Sequence, residues 1–241
     1  MIGQVSAAVH SEPQPGRGAI LVIDTCGAMG SVALATLAPE PLLLAQSRLP
    51  GRAASERLLP GIRDLLSGQG MGLGDLSAIA VVHGPGSFTG IRIGLSAAKG
   101  LCHALDTPLV GISRLAVLAG MGADGAAAVL SVLDAGRGEF YAGLYSPGAP
   151  AAEALRSREE LLRVIEAEPH RRMIACESAV AEAFAPAAML VAELSAGDAL
   201  RMAARRILAR DFDDPAGLDA NYVRRTDLEL FGHGRARVAA R

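Results

Sequence analysis

The densest chemical signal in the chain is His83-Gly84-Pro85-Gly86-Ser87-Phe88-Thr89-Gly90, where an apolar run ends in a Gly-Pro-Gly loop and a helix-forming stretch begins near Thr89. Backbone N–H groups at such a loop, at the positive end of a helix dipole, suit an anion. A tight structural turn is the commoner use of the same arrangement. The spacing G-x-G-x-x-x-G departs from the dinucleotide fingerprint, and no Gly-Lys-Ser/Thr follows to make a Walker A loop. Pro85 stands two residues before Ser87, which excludes the G-x-S-x-G nucleophile elbow. Two more turns close apolar runs, Asp24-Thr25-Cys26-Gly27 and Asp134-Ala135-Gly136-Arg137-Gly138. The candidate anion or nucleotide contacts are therefore Asp24, Thr25, Gly84, Gly86, Ser87, Asp134 and Gly136. Turn capping is the competing role for both aspartates.

Catalytic chemistry has less to build on. The histidines are His10, His83, His103, His170 and His233, and no two stand at i, i+4. A metal site needs three or four convergent ligands, so no metal site is expected. Ser87 has His83 four residues upstream but no local carboxylate to orient it, and Cys26 has no placed histidine. No catalytic residue is therefore predicted. Cys26, Cys102 and Cys176 are widely spaced with no C-x-x-C, which fits a reducing cytosol rather than a disulfide framework.

These turns need strands and helices to hold them. Half of the chain, 51%, is hydrophobic by class, but 46 residues are Ala, 28 are Gly and only 3% are aromatic. With 241 residues and a net charge of −2, the chain can bury a sizeable core and is not disordered. Arg outnumbers Lys 22 to one, yet the balance leaves no electrostatic footprint for solo nucleic-acid binding. Arg224, Arg225, Arg235, Arg237 and Arg241 do collect near the C-terminus, where a solvated tail is the plainer reading. No window of 18 apolar residues suggests a membrane span, and the first residues lack a signal-peptide pattern, so a cytoplasmic protein is expected.

Strand-like runs at 19–25, 31–37 and 42–48 precede a helix at 55–66, whose predicted inner face is Leu58, Leu59, Ile62, Leu65 and Leu66. A strand at 78–84, a helix at 90–105, a strand at 108–112 and a helix at 113–121 follow. The pattern then restarts, with strands at 127–135, 139–145 and weakly at 151–156, and a helix at 157–168 opened by a Ser157/Glu160 capping box. Strands at 173–177 and 188–193 flank a short helix at 179–184, and a last helix over 195–210 is capped by Ser195 and Asp198. The order β-β-β-α-β-α-β-α thus occurs twice. It implies an α/β protein of two lobes, each with a mixed sheet and helices, facing a cleft. The expected divisions are a flexible extension at 1–18, a first lobe at 19–122, a second at 123–230 and a basic tail at 231–241. In the helix 90–105, Gly90, Gly94, Ala97 and Leu101 form a stripe. Repeated Gly in a helix costs about 1 kcal/mol each against Ala, so close approach of another element is expected there.

The segments 22–35, 51–66, 83–101, 110–119 and 132–145, with the late Asn221-Tyr222-Val223-Arg224-Arg225, together resemble the TsaB (YeaZ) family. The resemblance implies a duplicated actin-like/sugar-kinase, ribonuclease H-like fold. It also implies a non-catalytic cytosolic subunit that supports N6-threonylcarbamoylation of the adenosine beside the anticodon in tRNAs reading codons that start with A. The implied partners are the catalytic TsaD subunit and, through the complex, the TsaE ATPase, with ATP and metal held by those subunits and no cofactor required by this chain. It implies a homodimer when alone and contact with tRNA only indirectly. The implied partner interface draws on the first two long helices, with Arg57, Leu58, Ile62, Gly90, Arg92, Ile93, Gly94, Ala97 and Leu101 as contacts. TsaD carries a His-x-x-x-His metal pair after the strand matching 108–112. Here the corresponding stretch, Ser113 to Ala119, has no histidine. Many members place a histidine where this chain has Ala54. An autonomous small-molecule kinase or ATPase of the actin-like class, or a peptidase-like relative, is the alternative.

Overall fold

The computed structural model describes residues 18–37, 40–50, 54–122, 128–168 and 170–223. Residues 1–17 of the extension expected at 1–18, the arginines from Arg224 onward, the tail at 231–241, His10, His233 and the side chain of Ala54 lie outside the described residues.

The first half contributes β1 (Ala19–Asp24), β2 (Met29–Thr36), β3 (Leu42–Pro50), α1 (Ala54–Gly68), β4 (Leu76–Val82), α2 (Phe88–Leu105), β5 (Leu109–Ile112) and α3 (Arg114–Met121). The second contributes β6 (Val129–Gly136), β7 (Glu139–Tyr145), β8 (Ala152–Ser157), α4 (Arg158–Ala167), β9 (Arg172–Ala175), α5 (Ser178–Ala183), β10 (Ala188–Leu190) and α6 (Leu200–Leu208). The sheets run β3-β2-β1-β4-β5 and β8-β7-β6-β9-β10. In each, the first three strands pair antiparallel and the fourth and fifth parallel. The two sheets therefore repeat one topology, the ribonuclease H-like order duplicated as in actin-like proteins.

Burial explains why β1 reads as a continuous apolar run: all six residues are buried because helices cover both faces. Strand alternation sends Leu21 and Ile23 to one side, where they pack with Leu58, Ile62 and Leu66 of α1 and with Leu95 and Ala98 of α2. Ile20 and Val22 point to the other side, into a core shared with the second half. That shared core crosses the chain's midpoint. Helix α3 packs on β6 and β7, whereas α6 packs on β5. Ahead of α6, a 3-10 turn (Ala196–Ala199) packs on β1 and β2, and its Ala196 N–H donates to Ser31 Oγ at 2.7 Å. A third core, built on Leu130, Val132, Phe140, Leu161 and Phe184, fills the outer face of the second sheet. After α6, Asp213 accepts from the Gly111 N–H at 2.7 Å and Asn221 N–H donates to the His83 carbonyl at 2.8 Å, which ties the end of the described chain to the first sheet.

Three local expectations change. Leu59 is 56% exposed, because the inner face of α1 follows Leu58, Ile62 and Leu66 at i, i+4, i+8. The last helix starts only at Leu200; Ser195 and Asp198 form their capping box on the 3-10 turn before it. The run at 188–193 is paired only over Ala188–Leu190.

Candidate functional site

Two regions hold the residues singled out by sequence. The first is a cleft of 380 Å³ lined by Thr25, Cys26, Gly27 and Ala28 after β1, by Gly86, Ser87 and Gly90 at the start of α2, and by Arg114, Asp134 and Glu177. The fold thus brings Thr25, Gly86, Ser87 and Asp134 together across the two lobes. Asp24 lies beneath them, buried, with Oδ1 accepting from the Cys26 N–H at 2.9 Å. Asp134 Oδ1 accepts from the Gly136 N–H at 2.8 Å. Both aspartates therefore cap their own turns. Gly84 and Gly136 stand in positive-φ turns and do not line the cleft.

The wall of the cleft is set by the entry to α2. Ser87 caps the helix, its Oγ accepting from the Gly90 N–H at 3.2 Å. Thr25 Oγ1 donates to the Gly90 carbonyl at 2.6 Å. A Cβ on Gly90 would fall 1.9 Å from the Thr25 carbonyl oxygen, and one on Gly94 would fall 2.3 Å from Thr25 Oγ1. The small-residue stripe of α2 thus begins as an approach to the chain's own β1 turn.

Burial governs the titrating groups here. It holds the Asp24 carboxyl above the usual carboxylate range, with the Arg114 charge acting the other way. Burial, then the Asp24 charge, pushes the Cys26 thiol well above its ordinary value, while the thiol donates to the Val82 carbonyl at 3.1 Å. Glu177 is likewise raised by burial, and its Oε2 accepts from the Asp134 N–H at 2.7 Å. Among the described residues no group of three or more His, Cys, Asp or Glu converges on a metal position.

The second region is the face of α1 and α2 away from the first sheet. Of the nine residues expected at a partner contact, Leu58, Ile62, Gly90 and Gly94 are buried in the chain's own core, since the sheet claims that side of both helices. Arg57 and Arg92 are exposed, and Ile93, Ala97 and Leu101 are half-buried. Exposed residues at this face also include Leu59, Ser96, Gly100 and Ala104. Arg92 lies 3.7 Å over the Phe88 ring and its Nε donates to the Tyr222 hydroxyl at 3.0 Å. Phe88 and Tyr222 stack with ring centroids 5.5 Å apart.

The family model that matches the chain is TsaD, tRNA N6-adenosine threonylcarbamoyltransferase, over residues 48–204. The chain is 41% identical over 125 residues to the tRNA threonylcarbamoyladenosine biosynthesis protein TsaB of Escherichia coli, which is 51% of this chain and 52% of that protein. It is 37% identical over 126 residues to the Bacillus subtilis protein of the same name, covering 52% and 54%. The chain thus spans about half the length of these curated relatives. The solved structure of YeaZ from Pseudomonas aeruginosa superposes with a TM-score of 0.71 at 29% identity, over 86% of this chain and 100% of that one. A second structure, of a Pseudomonas aeruginosa protein described as similar to peptidase YEAZ, gives 0.72 at 30% identity with the same coverage. The chain belongs to the TsaB/YeaZ family.

In this TsaB-family chain, sequence reasoning missed two residues of the cleft. Arg114 had a legible signal, a lone charge inside the apolar stretch Ile112 to Ala119 directly after a strand. Glu177 had none, because only the pairing of β6 with β9 carries it beside Asp134. A groove of 480 Å³ between β3 and α1 lies apart from both aspartate turns and is lined by Arg48, Arg57 and Asp64 among others.

Proposed function

We propose that the chain is a non-catalytic, cytoplasmic subunit required for N6-threonylcarbamoylation of the adenosine beside the anticodon in tRNAs reading codons that start with A. In this reading it pairs with the catalytic TsaD subunit through the outer face of α1 and α2. ATP and metal stay with TsaD and TsaE, tRNA is met only indirectly, and the same face self-associates when TsaD is absent. The carrying observation is that face, in a chain of the TsaB family. Ser96, Gly100 and Ala104 stand at i, i+4, i+8 on the exposed side of α2, and nothing lies within 4 Å of where a Gly100 Cβ would be. A small-residue surface lets a partner helix approach closely, and about 800 Å² per partner is an ordinary contact size. A peptidase role is disfavoured, because the Cys26 thiol is held protonated and Ser87 Oγ caps α2. An autonomous kinase is disfavoured by the two aspartates serving as turn caps.

Gly100 gives the test. Gly100→Arg projects a long charged side chain from this face and is expected to abolish co-purification with TsaD and tRNA modification by the recovered complex. Gly100→Ala is expected to keep both and to stabilise the isolated chain by up to about 1 kcal/mol. Full recovery of the Gly100→Arg complex would remove α2 from the interface.

A further inference from the structure

The inter-lobe cleft holds a charge that the proposed partner role does not use. Arg114, the first residue of α3, is 5% exposed, and its Nε is buried without a hydrogen-bond partner. Among the described residues, no carboxylate pairs with it at salt-bridge distance. The nearby acids are occupied by backbone: Asp24 accepts from the Cys26 N–H, and Glu177 accepts from the Asp134 N–H. The fold nevertheless makes room for the guanidinium. A Cβ on Gly27 would sit 2.9 Å from one terminal nitrogen of Arg114, and one on Gly86 would sit 3.2 Å from the other. The guanidinium opens on the 380 Å³ cavity, beside Ser87 and the N-terminal end of the 18-residue helix α2.

Arginine stays charged at any ordinary pH, and a buried charge without a hydrogen-bonded counter-ion is costly. Its planar fork matches an oxyanion in two parallel hydrogen bonds. We propose that the cleft binds a small oxyanion, a carboxylate or a phosphate, docked on the guanidinium of Arg114. Asp134 and Glu177 line the same cavity on the second-lobe side. They repel a simple anion and attract the positive end of a zwitterion, so the two sources of the oxyanion answer oppositely to loss of the Glu177 charge. The site stands independently of the partner interface.

The test is calorimetric titration of the full chain with inorganic phosphate and, separately, with glycine as the simplest amino-acid zwitterion. Saturable binding of at least one probe is expected. Arg114→Met is expected to weaken it by about tenfold or more, the loss of one charge-assisted fork. Should Arg114→Met not fold, Gly27→Ala decides: it keeps the charge and displaces only the flexible end of the arginine, and it too must weaken the bound probe. Glu177→Gln should tighten phosphate if phosphate is the ligand class, and weaken glycine if a zwitterion is. Absence of saturable binding of both probes up to about 10 mM overturns the site. Binding unchanged in Gly27→Ala overturns the role of Arg114.

Discussion

The turns after β1 and β6 begin from the same topological place and end in different environments. After β1, Asp24 and Thr25 are buried beneath α2, where the Thr25 carbonyl closes on Gly90 and the Thr25 hydroxyl on Gly94. After β6, Asp134 is exposed, and Gly136, Arg137 and Gly138 run through positive φ with open space at both glycines. The difference lies in the helix each lobe supplies. Helix α2 has 18 residues and lacks a Cβ where it crosses the turn, whereas α5 has six and starts after Glu177, whose carboxylate reaches back to the Asp134 N–H. A repeated strand order therefore leaves the chemistry of each turn open; the residues of the crossing helix set it.

This contrast can be broken most directly at the glycines. Gly90→Ala puts a methyl group 1.9 Å from a backbone oxygen, where no side chain can swing aside. A loss of about 3 kcal/mol or more in denaturant unfolding is expected, at or beyond the usual cost of overpacking. Gly136→Ala meets nothing within 4 Å and carries only the strain of positive φ, about 1–2 kcal/mol. Equal costs would erase the distinction between a close approach and a free turn.

Asp24 sharpens it at the level of charge. Its carboxyl is raised by burial in the folded state, so that contribution to stability is full below the unfolded value of 3.8 and is lost as pH rises through the folded value. Asp24→Asn keeps an oxygen for the Cys26 N–H and cannot ionise. It is expected to melt above wild type at pH 7, with the gap closing as pH falls toward 3.8. Asp134→Asn, on the exposed turn, is expected to shift stability by no more than about 0.5 kcal/mol. A lower melting temperature for Asp24→Asn at pH 7 would mean that the Arg114 charge outweighs burial.

The smallest effect concerns the thiols. Cys26 and Cys102 are buried, the second pushed up to about 12 by burial, while Cys176 is half-buried. Native protein at pH 8 is expected to alkylate first at Cys176, with Cys26 and Cys102 reacting only as the chain unfolds, as read by mass spectrometry of labelled peptides. Early labelling of Cys26 would show the first-lobe turn to be open.

Much of the fold is legible in the amino-acid sequence. The continuous apolar run of Ala19–Asp24, the capping box of Ser157 and Glu160, and the doubled order of elements all follow from hydrophobic patterning and short-range hydrogen bonding, and each is present. The glycine stripe of α2 was legible as a close-approach surface, but its target was not. Four of the nine expected interface positions, Leu58, Ile62, Gly90 and Gly94, face the protein's own β1 sheet, a fact carried by packing.

What the sequence determined by itself, then, is the set of local elements, the repeat and the family, because these depend on neighbours a few residues apart and on motifs read in order. Tertiary structure alone decided which helix faces remain outside and that α3 and α6 each cover the other half's sheet. It alone placed Arg114 and Glu177 around one cleft. These outcomes depend on which surfaces compete for burial, and that competition is settled only when both sheets are in place.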